Sequence, residues 1–168
     1  VTLTTDRLVL REPRVDDLDA MYTLYSDPRA MKYWSTAPHA DPSVTEALLN
    51  RSIATWQDSP TYFQITLDDA YIGSAGNHRD NEVGFILHPD HWRKGYVFEA
   101  MQAVIPYLFD TTDHSELTAE ADPLNAASVG LIRRLGFTDT HREKNTFCIN
   151  GIWSDSVYFA LPRPDGTR

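Results

Sequence analysis

The sequence predicts a mixed α+β fold built on one central sheet. Three observations carry that prediction: apolar residues alternate with period two at the front, middle and end of the chain; amphipathic stretches of helical period separate those segments; and turn or capping residues fall at the junctions. Taken in chain order, the segments read β, α, α, β, β, β, α, β, α, β, β.

LTTDRLVLREP, residues 3–13, alternates as a strand, and DDLDAMYTLYSD, 16–27, sets Leu18, Met21, Tyr22 and Tyr25 on one helical face. Asp27-Pro28 and Asp41-Pro42 each place an N-cap acid before a proline at the first helical position, so a helix begins at each, the second running to about Gln57. TYFQITL (61–67) and AYIGSAGNHR (70–79) are strands around an Asp68-Asp69 turn. EVGFILH continues the meander, with Val83, Phe85 and Leu87 on one side and Glu82, Gly84 and Ile86 on the other. In the helix that follows, Val97, Ala100, Met101, Val104, Ile105 and Leu108 recur at helical spacing, while Pro106 removes a bond to Gln102 and predicts a kink or an early end. SELTAEA (115–121) alternates again, and NAASVGLIRRLGF (125–137) is a short helix stopped by Gly136. Two last strands, FTDTHREKNTFCI and GIWSDSVYFAL, join at Asn150-Gly151, a strong hairpin signal. Residues 1–162 are expected to form one domain, with 163–168 a disordered tail.

A chain of 168 residues, 42% hydrophobic and 11% aromatic, can bury a sizeable core as one domain. No apolar run approaches the roughly 20 residues of a membrane span, and no leader layout opens the sequence. A cytoplasmic protein is expected, and the single cysteine, Cys148, excludes an internal disulfide framework. The formal charge of −9 argues against broad nucleic-acid binding and favours a cationic partner.

Between EVGFIL and the long helix lies HPDHWRKG, a basic loop with one glycine. The first N–H groups of a helix lack internal partners and its dipole is positive there, so the loop can seat a phosphate, with Gly95 permitting close approach and Arg93 and Lys94 adding charge. A plain surface turn with two solvated cations is the alternative. The loop matches neither the Walker A pattern nor the G-x-G-x-x-G fingerprint, which makes ATP and NAD poor ligands for it.

EVGFILHPDHWRKGYVFEAM resembles the acetyl-CoA-binding region of the GNAT acetyltransferases, in the RimJ/RimL-like branch, and NAASVGLIRRLGF resembles the same branch's Asn-x-x-Ser helix ending in Gly-Phe. With TTDRLVLRE at the front and the closing Asn-Gly hairpin, the resemblance covers nearly the whole chain. It implies a sheet of about seven strands flanked by about four helices, splayed between the fourth and fifth strands, with acetyl-CoA as cosubstrate and no metal. The backbone of Phe85, Ile86 and Leu87 would pair with the pantetheine arm, the N–H groups of Arg93, Lys94, Gly95, Tyr96, Val97 and Phe98 would receive the pyrophosphate, and Asn125 would bond the arm. Val97 departs from the usual Gly or Ala of that loop.

Acetyl transfer to an amine needs a base, a polarised carbonyl and a stabilised thiolate. The resemblance nominates Glu82 as base, although a strand-end carboxylate in solvent is the plainer reading. The tyrosine that many members carry seven residues after the Asn is Ile132 here, which leaves Ser128 as the proton donor or a simple helix cap. A backbone N–H near Leu87 would stabilise the oxyanion if the strand bulges there. Cys148 reads as a small core residue, Glu99 as a capping charge, and His88 and His91 as a pair without a third ligand. Tyr33, Trp34, His39 and Trp153 are candidates for the acceptor wall. The resemblance implies a primary amine as acceptor, either a protein N-terminus or a small molecule, and a homodimer is compatible with this reading. The competing hypothesis is a non-catalytic acyl-CoA-binding sensor or interaction domain.

Overall fold

In the computed structural model, which describes residues 1–165, the alternating segments are strands β1 (Leu3–Thr4), β2 (Val9–Arg11), β3 (Tyr62–Leu67), β4 (Ala70–Arg79), β5 (Glu82–Leu87), β6 (Glu116–Ala121), β7 (Thr138–Ile149) and β8 (Ile152–Pro162). The helices are α1 (Leu18–Tyr25), α2 (Pro28–Met31), α3 (Pro42–Asp58), α4 (Tyr96–Thr111) and α5 (Ala126–Arg134). One sheet runs in the order β1-β2-β3-β4-β5-β6-β8-β7, antiparallel except for the β5–β6 pair.

Local chemistry sets the boundaries. Asp27 and Asp41 accept from the N–H groups of Arg29 and Ser43, each at 2.8 Å, ahead of the N1 prolines. Asn150 and Gly151 both take left-handed backbones, as the tight hairpin turn requires.

The sheet is covered on both faces. Leu8, Leu10, Phe63, Ile65, Val83 and Leu87 pack with Ala100, Met101, Val104 and Leu108 of α4 and Ile132 of α5. On the opposite face Met21, Leu24 and Tyr25 of α1, Met31 of α2 and Leu49 of α3 close around Ile86. Fully burying each large side chain contributes roughly 1.5–3 kcal/mol. A polar seam crosses that second face: Arg11 grips Asp17 at 2.7 and 3.0 Å, Gln64 donates to Asp17 at 3.1 Å, and Ser74 bridges Gln64 to Tyr71 at 2.8 and 2.9 Å.

Several expectations change. The first strand is two short ones, Leu3 facing Leu10, because residues 5–8 turn back and are clipped to α4: Glu99 accepts from the Thr5 hydroxyl at 2.5 Å and from the Arg7 N–H at 2.9 Å. Glu99 therefore holds the front of the chain rather than capping its own helix. Helix α4 passes through Pro106 to Thr111, since the proline lies on the exposed flank while Val104, Leu108 and Phe109 anchor the other. Cys148 is exposed, because β8 pairs with β6 only from Val157 onward and leaves the β7–β8 ribbon to project alone. Arg163, assigned to the tail, is anchored: its guanidinium donates to the carbonyls of Phe109, Thr112 and His114. Residues 166–168 lie outside the described residues.

Candidate active site

Strands β5 and β6 share a single bridge, Glu82 to Thr118, and part towards their carboxyl ends. With β1 and β2 counted as the one strand expected, this opening falls between the fourth and fifth strands. Which backbone groups face it follows from register. His88 N–H donates to Ile72 O at 2.8 Å, so in the antiparallel β4–β5 ladder the even residues bond β4 and the odd ones turn away. Phe85 and Leu87 thus present backbone groups to the opening, while Ile86 gives its backbone to Ser74 and its side chain to the α1–α3 core. Leu87 O already accepts from the Trp92 indole at 2.9 Å. The β4–β5 register is regular from Val83 to Leu87 and shifts only between Asn77 and Arg79, so the Leu87 N–H faces the opening through this regular register and not through the bulge expected.

At the mouth of the opening, the loop feeds α4 through Gly95, whose φ of 81° lies in the left-handed region and favours glycine. No side chain caps this helix, and the N–H groups of Tyr96, Val97 and Phe98 have no partner among the described residues. Arg93 and Lys94 are exposed beside them, and Arg7 braces the turn by donating to Lys94 O at 2.9 Å and covering the Tyr96 ring at 4.4 Å. Such a row of free donors at a positive helix end fits a pyrophosphate, and the unpaired β5 edge fits an extended amide arm.

The opposite lip is the start of α5. Asn125 caps it by accepting from the Ser128 N–H at 3.2 Å, and its amide donates to the Ser128 hydroxyl at 3.0 Å. Held as an acceptor by Asn125, that hydroxyl keeps its own proton for another partner. Ile132 is buried in the core, so no acid stands at that position.

Glu82 lies at the apex of the opening. It accepts from His78 at 2.8 Å and Arg79 at 3.3 Å, and the His78 bond, with the adjacent charges, holds its carboxyl below the usual range. Gly84 makes this possible, because a Cβ there would meet the His78 ring at 2.9 Å. The strand alternation puts Glu120 of β6 on the same face, opposite Leu117, Ala119 and Ala121. Glu120 behaves in the reverse sense: burial raises its pKa, the Tyr158 phenol partly offsets this, and the Glu82 charge raises it further. Tyr158, its cross-strand partner, is pushed up to about 12 by burial and by that carboxylate. Sequence reasoning missed Glu120. Its outward position in SELTAEA was visible, but not that this face borders Glu82.

Among α1, the segment 34–40 and α3, a cavity of about 420 Å³ gathers Tyr25, Trp34, Pro38, His39, Leu48 and Arg51. His39 stacks on Tyr25 at 5.1 Å, and its Nδ1 shares a 2.7 Å bond with Thr45. Of the four aromatic candidates, Trp34 and His39 come together here. Tyr33 turns to the Lys32 ammonium, 5.2 Å away, and Trp153 stands exposed near the hairpin tip, neither lining the cavity.

Residues 7–138 match the family model described as an acetyltransferase (GNAT) domain. The [ribosomal protein uS5]-alanine N-acetyltransferase of Escherichia coli is 32% identical, with 99% of this chain and 93% of that protein covered. An acetyltransferase of the GNAT family from Bacillus anthracis superposes with a TM-score of 0.86 at 22% identity, covering 97% and 99% of the two chains. RimL, a ribosomal L7/L12 alpha-N-protein acetyltransferase solved with coenzyme A, superposes with a TM-score of 0.84 at 18% identity over 96% and 98%. The splayed sheet, the uncapped helix behind its basic loop and these likenesses converge: the chain belongs to the GNAT acetyltransferase family, with relatives in the RimJ/RimL branch, and is an acetyl-CoA-dependent N-acetyltransferase.

Proposed function

We propose that the enzyme passes the acetyl group of acetyl-CoA directly to a primary amine, on a protein N-terminus or a small molecule, with Glu120 taking the amine proton and Ser128 donating to the departing sulfur. Acetyl-CoA supplies the activated acyl carbon and the thiolate leaving group. The chain's contribution is to hold and to move protons. The Phe85 and Leu87 backbone pairs with the extended arm, and the loop from Arg93 through Lys94 and Gly95 to Tyr96, Val97 and Phe98 receives the pyrophosphate. Asn125 orients Ser128 and keeps a spare lone pair on its amide oxygen for the arm. A protein N-terminus as acceptor is supported by the relative that acts on a ribosomal protein's alanine.

The observation that carries this reading is the placement of Glu82 and Glu120 on one face of the two parting strands, with the Glu82 carboxylate already held by His78 and Arg79; their surroundings push the two pKa values in opposite directions, in keeping with it. Glu82, bound to His78 and Arg79, is the poorer proton acceptor of the two. It serves to hold His78 in place and to keep the Glu120 carboxyl basic. A base is most useful when its pKa lies closer to the working pH, which favours Glu120.

Glu120→Gln is expected to lower turnover by roughly 10²- to 10⁴-fold with acetyl-CoA affinity unchanged, the loss shrinking as pH rises and more amine is already neutral. Glu82→Gln should cost less and shift the acid limb of the pH–rate profile. Full activity in Glu120→Gln, with the large loss in Glu82→Gln instead, would return the base role to Glu82.

A further inference from the structure

The cavity between α1, the segment 34–40 and α3 has a polarity opposite to that of the whole chain. Its α3 wall presents Val44, Leu48 and Arg51 at positions i, i+4 and i+7, one stripe of the helix, and Trp34 and Pro38 also line it. Arg51 is exposed and forms no hydrogen bond or ion pair with any described residue. His39, the other titratable group facing the space besides the buried Tyr25 phenol, is kept below its ordinary pKa by burial and by the Arg51 charge. Near neutral pH the cavity therefore holds one unpaired guanidinium among apolar walls and no lining carboxylate.

Such a site discriminates by charge. A guanidinium offers a planar fork that fits a carboxylate, whereas a second cation brought against it is repelled. Tyr25 and Trp34, which line it, belong to the same apolar cluster as Ile86 of β5, so the space lies on the sheet face covered by α1–α3. Its volume, about 420 Å³, is of the size that takes a small ligand or one or two side chains.

We propose that the acceptor carries a carboxylate beside an aliphatic or aromatic body: the carboxylate pairs with Arg51, the apolar part lies between Trp34, Val44 and Leu48, and the amine is directed towards the β5–β6 opening. This names the substrate class of the acceptor reading given above and rests on it. Two sources share the chemistry, a free amino acid and an acidic side chain close behind a peptide's N-terminus. Net charge governs long-range steering, but a contact this close is decided by the nearest charge.

The test compares matched acids and amides: phenylalanine with phenylalaninamide, and the C-terminally amidated peptides Ala-Glu-Leu and Ala-Gln-Leu. CoA release is followed with the wild-type enzyme and with Arg51→Gln and Arg51→Lys. In a parallel arm, the N-acetylated form of each compound is titrated calorimetrically, so that the answer does not depend on turnover. One acid should be preferred over its amide by roughly tenfold or more, mainly through KM, with Arg51→Gln reducing the ratio to about one and Arg51→Lys keeping part of it. The pair that shows the preference identifies the source. Equal handling of acid and amide in both pairs and both arms, or a preference that survives Arg51→Gln, overturns the proposal. Arg51-dependent binding of an acid without acetyl transfer to any compound would uphold the anion-binding pocket and count against the acceptor reading alone.

Discussion

At the scale of single residues, Asp17 shows how a buried charge is tolerated. Burial alone would raise its pKa, but the Arg11 fork, the Arg14 N–H and the Gln64 amide together hold it below the ordinary 3.8. Both partners are deeply shielded, with side chains 4% and 11% exposed, so solvent screening does little to weaken the pair. Removing one partner leaves an uncompensated buried charge, and Asp17→Ala is expected to cost about 3–5 kcal/mol in urea unfolding. The pH dependence has a definite sign. Because the folded pKa is depressed, the stabilisation is complete above the unfolded value near 3.8 and is lost as pH falls through the lower folded one. Unfolding curves between pH 5 and 2, on the order of that window, should show Asp17→Asn losing part of the wild type's acid sensitivity; identical acid profiles would show that Asp17 is not the group responsible.

At the scale of elements, the start of α4 is held from outside by a turn distant in sequence. Glu99 binds Thr5 and Arg7, and Arg7 reaches back to Lys94 O, so the β1–β2 turn and the loop before α4 form one clamp. Gly95 sits at its centre with room for a methyl group, the nearest atom being Arg7 Nη2 at 3.4 Å, but in a backbone conformation that L residues resist. Gly95→Ala is therefore expected to cost about 1–2 kcal/mol from conformation. If the free N–H row receives phosphate, the same change weakens CoA binding as the loop relaxes away from its left-handed turn. A stability loss with unaltered CoA affinity would place the phosphates elsewhere.

At the scale of the whole molecule, β5 and β6 are joined by a single bridge within one continuous sheet, and the opening lies at the carboxyl ends of those strands, where α/β sheets commonly take ligands. Acetyl-CoA held at about 100 times its Kd should stabilise the fold by about 2.7 kcal/mol, read as a shift in Tm, whereas NAD at the same concentration should not. If the pyrophosphate rests on the loop before α4, the shift should shrink with added salt, because the attraction then comes from the local charges of Arg93, Lys94 and the α4 terminus in an otherwise acidic protein. No shift with acetyl-CoA or CoA would defeat this placement of the cofactor.

The sequence by itself determined most of the elements and the basic glycine loop that opens α4. Period-two and helical alternation, the Asp-Pro caps at 27–28 and 41–42, the Asn150-Gly151 turn and the Asn125 cap are local features, each set by a few consecutive residues. Alternation reports which face of a strand is buried, but not what stands opposite that face. Only the chain's path through space decided that Glu120 shares a face with Glu82, that Arg51 and His39 line one cavity, and that Thr5 and Arg7 are clipped by Glu99. The same path left Cys148 on an uncovered ribbon and carried α4 through Pro106 on its exposed side. These outcomes turn on contacts between segments far apart in sequence, where packing and electrostatics among neighbours override what any short stretch prefers.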